Sequence, residues 1–159
     1  MRKYERPAKH SGLEQLRNAP GICSCQKLRS ASRAATRLYD THLRAAGITI
    51  GQYSLLAALY YVPSMSVKKL ANRLEMDRTT LTRSLARLDR DGFVAISSGA
   101  EDTRVRSVSI TEAGLEKLAE AYPHWIKAQE EMQEVLGQRG LKDFRRTLDG
   151  AIGALKAPE

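Results

Sequence analysis

The chain has 159 residues, enough for one domain with a hydrophobic core of its own. Lysine and arginine outnumber aspartate and glutamate 26 to 18, a formal net charge of +8, which favours a polyanionic partner such as nucleic acid or an anionic membrane surface. No apolar run approaches the roughly 20 residues that span a bilayer, and no apolar segment follows the basic N-terminus, so neither a transmembrane helix nor a secretory leader is expected.

The expected location is therefore cytoplasmic, with no membrane partner. The two cysteines, Cys23 and Cys25, are too few for a disulfide framework and would stay mostly reduced there.

Residues 1–21 are polar and basic and end in Asn18-Ala-Pro-Gly21, which reads as an arm or short leading helix before a turn. From about Ile22 to Ala46 the period is helical. Leu28, Ala31, Ala35, Leu38, Tyr39 and His42 form one stripe, and Gly47 marks the stop. Arg29, Arg33 and Arg37 form a second stripe, read as a solvated face ahead of a seat for an acidic partner.

Thr49 is placed to cap a second helix, Ile50 to Val62, with Tyr53, Leu56, Leu59 and Tyr60 on its apolar side and Pro63 at its end. Ser66 is placed to cap a third, Val67 to Leu74. Val67, Leu70, Ala71 and Leu74 face inward; Lys68, Lys69 and Arg73 face outward. Glu75-Met-Asp77 is a tight connection. Asp77 then opens a helix that stops at Gly92. Leu81, Leu85 and Leu88 share one side of it. Thr79, Arg83, Ala86 and Arg90, flanked by Thr82 and Arg87, share the other. Two short helices joined by so brief a turn make a helix-turn-helix.

After Gly92 the period changes from helical to alternating. Phe93 to Ile96 has strand character, Ser97 to Thr103 is turn chemistry, and Arg104 to Ile110 alternates, so a β-hairpin follows the fourth helix directly. Thr111-Glu-Ala-Gly114 opens a long helix to about Leu136. Its apolar positions are Leu115, Leu118, Tyr122, Trp125, Ile126, Met132 and Leu136, and Pro123 is expected to kink or break it. Gly137 and Gly140 are read as its end. A last helix, Leu141 to Leu155, carries Leu141, Phe144, Leu148, Ile152 and Leu155, nearly a heptad seam.

DNA readout needs a helix that fits the major groove, with short polar side chains near its N-terminus and arginine beyond them. Thr79, Thr80, Thr82 and Arg83 meet that need. Ser66, Lys68, Lys69 and Arg87 are placed to grip phosphates. A helical bundle with an incidentally basic surface is the plainer reading. DNA binding is preferred because pattern, caps, turn and hairpin agree. There is no glycine-rich phosphate loop and no nucleophile–base motif, and His10, His42 and His124 have no metal spacing. No enzyme activity, cofactor or metal is expected.

Asp102-Thr-Arg104 followed by Val108-Ser-Ile-Thr-Glu-Ala-Gly114 resembles the wing signature of the MarR family of bacterial transcription regulators. Leu70 to Val94 is similar to that family's helix-turn-helix. The resemblance runs from about Ile22 to the C-terminus and is strongest over Val67 to Gly114, with Ile110 where the family usually has leucine.

The resemblance implies a mainly α fold with a small β-hairpin, in one domain over 22–159. A winged helix-turn-helix would occupy 48–111, and dimerisation helices 22–46 and 112–156. It implies a homodimeric repressor on a pseudo-palindromic double-stranded DNA operator. Arg104 would enter the minor groove, and Asp102 would orient it or a neighbouring arginine; a hairpin-stabilising ion pair is the plainer role for both.

Similar proteins bind small aromatic acids or phenols between the two lobes. Tyr39, His42, Tyr53 and Tyr60 are the candidate lining residues for such an effector, each also readable as plain core or interface. Some members sense oxidants through cysteine. Cys23 and Cys25 lie at a helix N-terminus beside Lys27 and Arg29, which favours thiolate; two inert helix-end residues are the competing reading. An intersubunit disulfide or a sulfenate is expected ahead of a strained bond within the pair. A redox-sensing repressor and a non-specific architectural DNA-binding protein are the alternatives to ligand-released repression.

Overall fold

The structure is a computed structural model that describes residues 23–62, 64–98 and 106–156. The expectations for the N-terminal arm with His10, for Pro63, and for the hairpin tip with Asp102 and Arg104 lie outside the described residues. The chain divides into two compact units, Met1–Ala35 and Thr36–Glu159.

Helix α1 spans Ser24–Leu43 and passes into a 3₁₀ turn, Arg44–Ala46. Gly47 ends it at φ +70, a left-handed conformation that glycine takes without a Cβ penalty. Along the expected stripe Ala35, Leu38, Tyr39 and His42 are partly buried and Leu28 is 44% exposed, while Leu43 beside it is fully buried.

Helix α2 (Ile50–Tyr61) starts in a capping box. Thr49 accepts from the Gln52 amide, and the Gln52 side chain accepts from the Thr49 amide. Asp40 Oδ1 also accepts from Ile50 N at 2.7 Å, tying the end of α1 to the start of α2. Tyr53, Leu55, Leu56, Ala58 and Leu59 are all buried, so α2 is apolar nearly all round and runs through the core. Tyr60, expected on the buried side, is 59% exposed; Leu55 takes the interior position instead.

Strand β1 (Ser64–Ser66) leads into α3 (Val67–Arg73), and α4 follows (Arg78–Arg90). Glu75 makes the turn between the two helices with φ +51, and Met76 N reaches back to Ala71 O at 3.0 Å. Leu81, Leu85 and Leu88 are essentially sealed in the core, as their spacing requires.

Strands β2 (Val94–Ser98) and β3 (Arg106–Ile110) form the expected hairpin, but the sheet has three strands in the order β1-β3-β2, all antiparallel. Val108 in the central strand pairs with Met65 on one side and Ile96 on the other, and is fully buried. β1 is three residues long, too short to show an alternation, and two of them are serines. Ser97 and Ser98, expected in the turn, extend β2 because their backbone pairs with Ser107 and Arg106.

Helix α5 (Glu112–Leu136) continues past Pro123, so of the kink or break expected there the break does not occur. Its buried residues are Gly114, Ala121 and Ala128, small residues on one face that let neighbouring backbone approach. Gly137, at φ +69, separates α5 from α6 (Gln138–Leu155). Gly140 therefore lies inside α6 and ends nothing. Leu141 is buried and Leu148 half-buried, but Phe144, Ile152 and Leu155 are 39%, 46% and 77% exposed, so much of the apolar seam finds no cover among the described residues.

Candidate nucleic-acid interface

The site begins with the way α4 is held. Asp77 accepts a hydrogen bond from Thr80 N at 2.8 Å and closes the helix N-terminus. Hydrogen bonds from the Thr80 side chain and then its backbone hold the Asp77 carboxyl below its usual pKa, so the cap is ionised at neutral pH. At the far end Gly92 turns the chain at φ +76 and Phe93 N bonds Leu88 O at 2.8 Å. Three buried leucines on the inner side leave the helix little freedom to roll.

The outer side carries Thr79, Thr80, Thr82, Arg83 and Arg87, all exposed. Thr82 Oγ1 donates to Arg78 O at 2.7 Å, so its methyl and its oxygen lone pairs are what it offers outward. Among the described ion pairs, none occupies Arg83 or Arg87. Ser66 Oγ accepts from Lys69 N at 3.2 Å, which caps α3 and leaves the hydroxyl proton free to donate. Lys68 and Lys69 stand exposed on that first turn.

Two clefts flank α4. One, of about 530 Å³, lies between α3, α4 and the sheet; Val67, Leu85, Ala86 and Ile96 line it together with Ser66, Lys68, Arg78, Thr82, Asp89, Arg90 and Arg106. The other, of about 300 Å³, lies between α4 and the start of α2, lined by Thr49, Gly51, Gln52, Thr80, Arg83 and Arg87. Of the candidates read from sequence, Ser66, Lys68 and Thr82 line the first cleft and Thr80, Arg83 and Arg87 the second, while Lys69 and Thr79 line neither. Arg78, Arg106 and the start of α2 are additional members. Arg78 was available as an exposed cation at the first helical position; Gln52 was not, because only the fold brings α2 beside α4.

The root of the hairpin is locked. Thr111 N bonds Phe93 O at 3.2 Å, Thr111 Oγ1 donates to Gly92 O at 2.6 Å, and Gly114 N donates to Thr111 Oγ1 at 3.1 Å. A Cβ on Gly114 would stand 2.0 Å from Phe93 O, so only glycine fits where α5 crosses the exit from α4.

The candidate effector residues do not share one place. Tyr53 and Tyr60 line a cleft of about 610 Å³ between α2 and α5, together with Tyr61 and Tyr122. Tyr53 stacks on Trp125 with ring centroids 5.5 Å apart, and burial first, then Tyr122 and Tyr61, push its hydroxyl pKa up to about 12. Tyr39 and His42 are not among the lining residues. Burial raises the Tyr39 pKa, partly opposed by Arg145, and His42 Nε2 contacts Glu131 Oε2 at 2.6 Å. Cys23 and Cys25 are exposed free thiols at the start of α1.

Among the described residues no group of histidine, cysteine, aspartate or glutamate gathers as for a metal ion, and no helix is long and apolar enough to cross a membrane.

Residues 48–105 match the model of the MarR family. The organic hydroperoxide resistance transcriptional regulator of Bacillus subtilis is 34% identical over 90 residues, 57% of this chain, and the match spans 61% of that regulator's length. The transcriptional activatory protein BadR of Rhodopseudomonas palustris is 34% identical over 125 residues, covering 73% of this chain and 69% of BadR. Among solved structures, the M. tuberculosis transcriptional regulator MosR in complex with DNA superposes with a TM-score of 0.73 at 33% identity, over 85% of this chain and 99% of that one. A mutant of E. coli MarR complexed with operator DNA gives 0.72 at 18% identity, over 87% and 96%, a likeness of fold.

Proposed function

The chain belongs to the MarR family of DNA-binding transcription regulators, and on that premise we propose that it is a homodimeric repressor of a pseudo-palindromic operator, released by a small aromatic or phenolic ligand. The observation that carries this reading is the capped α4 helix, whose three leucines are buried while its threonine and arginine face is open. Thr79, Thr80, Thr82 and Arg83 read base edges in the major groove. Ser66, Lys68, Lys69 and Arg87 grip the backbone and supply the salt-dependent part of affinity. Arg104 enters the minor groove from the hairpin tip, and Asp102 orients it.

Two such helices in successive major grooves need a two-fold partner. Phe144, Ile152 and Leu155 on α6, with Val135 and Leu136 at the end of α5, are the exposed apolar side chains a second copy would cover. The α2–α5 cleft with Tyr53 and Tyr60 is the effector seat. α2 packs on both α4 and α5. A ligand that wedges α2 from α5 therefore favours a dimer whose recognition helices no longer match the groove spacing, a population shift between two states. Tyr39 and His42 act from the α1 side.

The experiment is selection of binding sites from random DNA by the full chain, followed by transcription from the selected site in vitro. An inverted repeat that the protein silences supports the reading. An affinity for selected DNA no better than for random DNA at the same salt would make it an architectural binder instead.

One observation favours a second trigger. Cys23 and Cys25 are both exposed at the start of α1, and a relative is named for organic hydroperoxide resistance. Under this reading peroxide releases operator from the wild type and not from the Cys23→Ser, Cys25→Ser double variant. Equal sensitivity of the two would remove it.

A further inference from the structure

The α2–α5 cleft has a chemistry more specific than its size. Two of its lining rings, Tyr53 and Tyr122, stack on Trp125, which does not itself line the cleft: Tyr53 at 5.5 Å and 14°, and Tyr122 at 5.9 Å and 23°. Its mouth carries Tyr60 and Tyr61, edge to face at 5.6 Å. Leu115 and Leu118 complete the floor, and no charged side chain is among the described lining residues. The lysine nearest in sequence is turned away: Lys117 Nζ is held by Glu120 Oε2 at 2.6 Å and by Ala46 O at 3.3 Å. A volume of about 610 Å³ suits a small two-ring ligand.

We propose that this cleft selects uncharged planar aromatic molecules and rejects aromatic carboxylates, a statement of ligand class that rests on the effector reading above. Flat rings meet flat walls in the offset geometry aromatic pairs prefer. Tyrosine hydroxyls supply neutral donors and acceptors, the partners of a phenol, an amide or a quinone carbonyl. A carboxylate would give up part of its hydration for a cleft with no cation among the described lining residues, and an anion that loses water without a partner is destabilised. The elevated Tyr53 pKa reports the same resistance to negative charge from the protein's own side.

The test uses the full chain with 2-naphthamide and 2-naphthoate, planar molecules of nearly equal shape that differ by one charge. Affinity is read by calorimetry. Location is read by emission of Trp125, the chain's single tryptophan, and release by anisotropy of a labelled operator. Tyr60→Ala and Tyr122→Ala are the site variants; both side chains are more than half exposed, at 59% and 53%, so their loss leaves the core intact.

The expected result is that naphthamide binds at least about tenfold tighter than naphthoate, quenches Trp125, releases operator, and binds several-fold more weakly to either variant. Naphthoate binding as tightly as naphthamide, with release, would overturn the selectivity and leave the effector reading standing. Binding that neither variant changes would overturn the cleft as the site. Failure of both compounds to bind would overturn the effector reading with it.

Discussion

Gly114 makes the case for reasoning at single residues. An alanine there would drive a methyl into the Phe93 carbonyl, a backbone atom that cannot swing aside. Gly114→Ala is expected to lose about 3 kcal/mol of stability, as overpacking against fixed neighbours does; denaturant unfolding measures it, and a loss within error would remove the close-crossing argument. Tyr53 gives a pH dependence of definite sign. Its pKa is raised from 10.0 to about 12, so its contribution is full below pH 10.0 and is lost as pH rises towards 12. Tyr53→Phe, which cannot ionise, is expected to flatten the alkaline limb of the unfolding profile over that window. Asp77 was legible from sequence because a cap is local: an acceptor three residues before the amide it binds. The roles of Tyr61 and Tyr122 were not, since neither spacing nor composition says which rings meet across two helices.

At the scale of elements, local signals served where elements are long and amphipathic. The caps Thr49, Ser66 and Asp77 each stand where the sequence implied and accept from a backbone amide, and Thr111, at the expected opening of α5, does the same. They failed where tertiary context decides. β1 exists because β3 offers it an edge, and its three residues carry no period of their own. The break expected at Pro123 is overridden by packing on both flanks, where Ala121 and Ala128 are fully buried. A proline inside a helix still lacks its hydrogen bond, so Pro123→Ala is expected to raise the thermal midpoint, with a gain of up to about 3 kcal/mol. An unchanged or lower midpoint would mean that the helix bends there and uses the bend.

For the whole molecule, the apolar face of α6 is the feature a monomer leaves unexplained. The heptad-like spacing of Leu141, Phe144, Leu148, Ile152 and Leu155 was legible in the sequence; which of them the chain itself covers was not, and only Leu141 is buried. If a second copy covers the rest, Phe144→Glu with Ile152→Glu should sediment as a monomer and lose most of its operator affinity, because one recognition helix then grips one half-site. A double variant that remains dimeric would move the interface elsewhere. The basic groups follow the same logic of position: the formal charge of +8 favours a polyanion, and the clefts on both sides of α4 hold arginines where one would lie.

The central claim is that α4 reads sequence while its flanks grip backbone. The most direct measurement is the ratio of operator to random-DNA affinity at fixed salt, taken for wild type, Arg83→Ala and Lys68→Ala. Arg83→Ala should lower the ratio, by about 1–3 kcal/mol of lost discrimination, with random-DNA affinity changing much less. Lys68→Ala should weaken both affinities together and leave the ratio intact. An Arg83→Ala protein with an unchanged ratio would contradict the account.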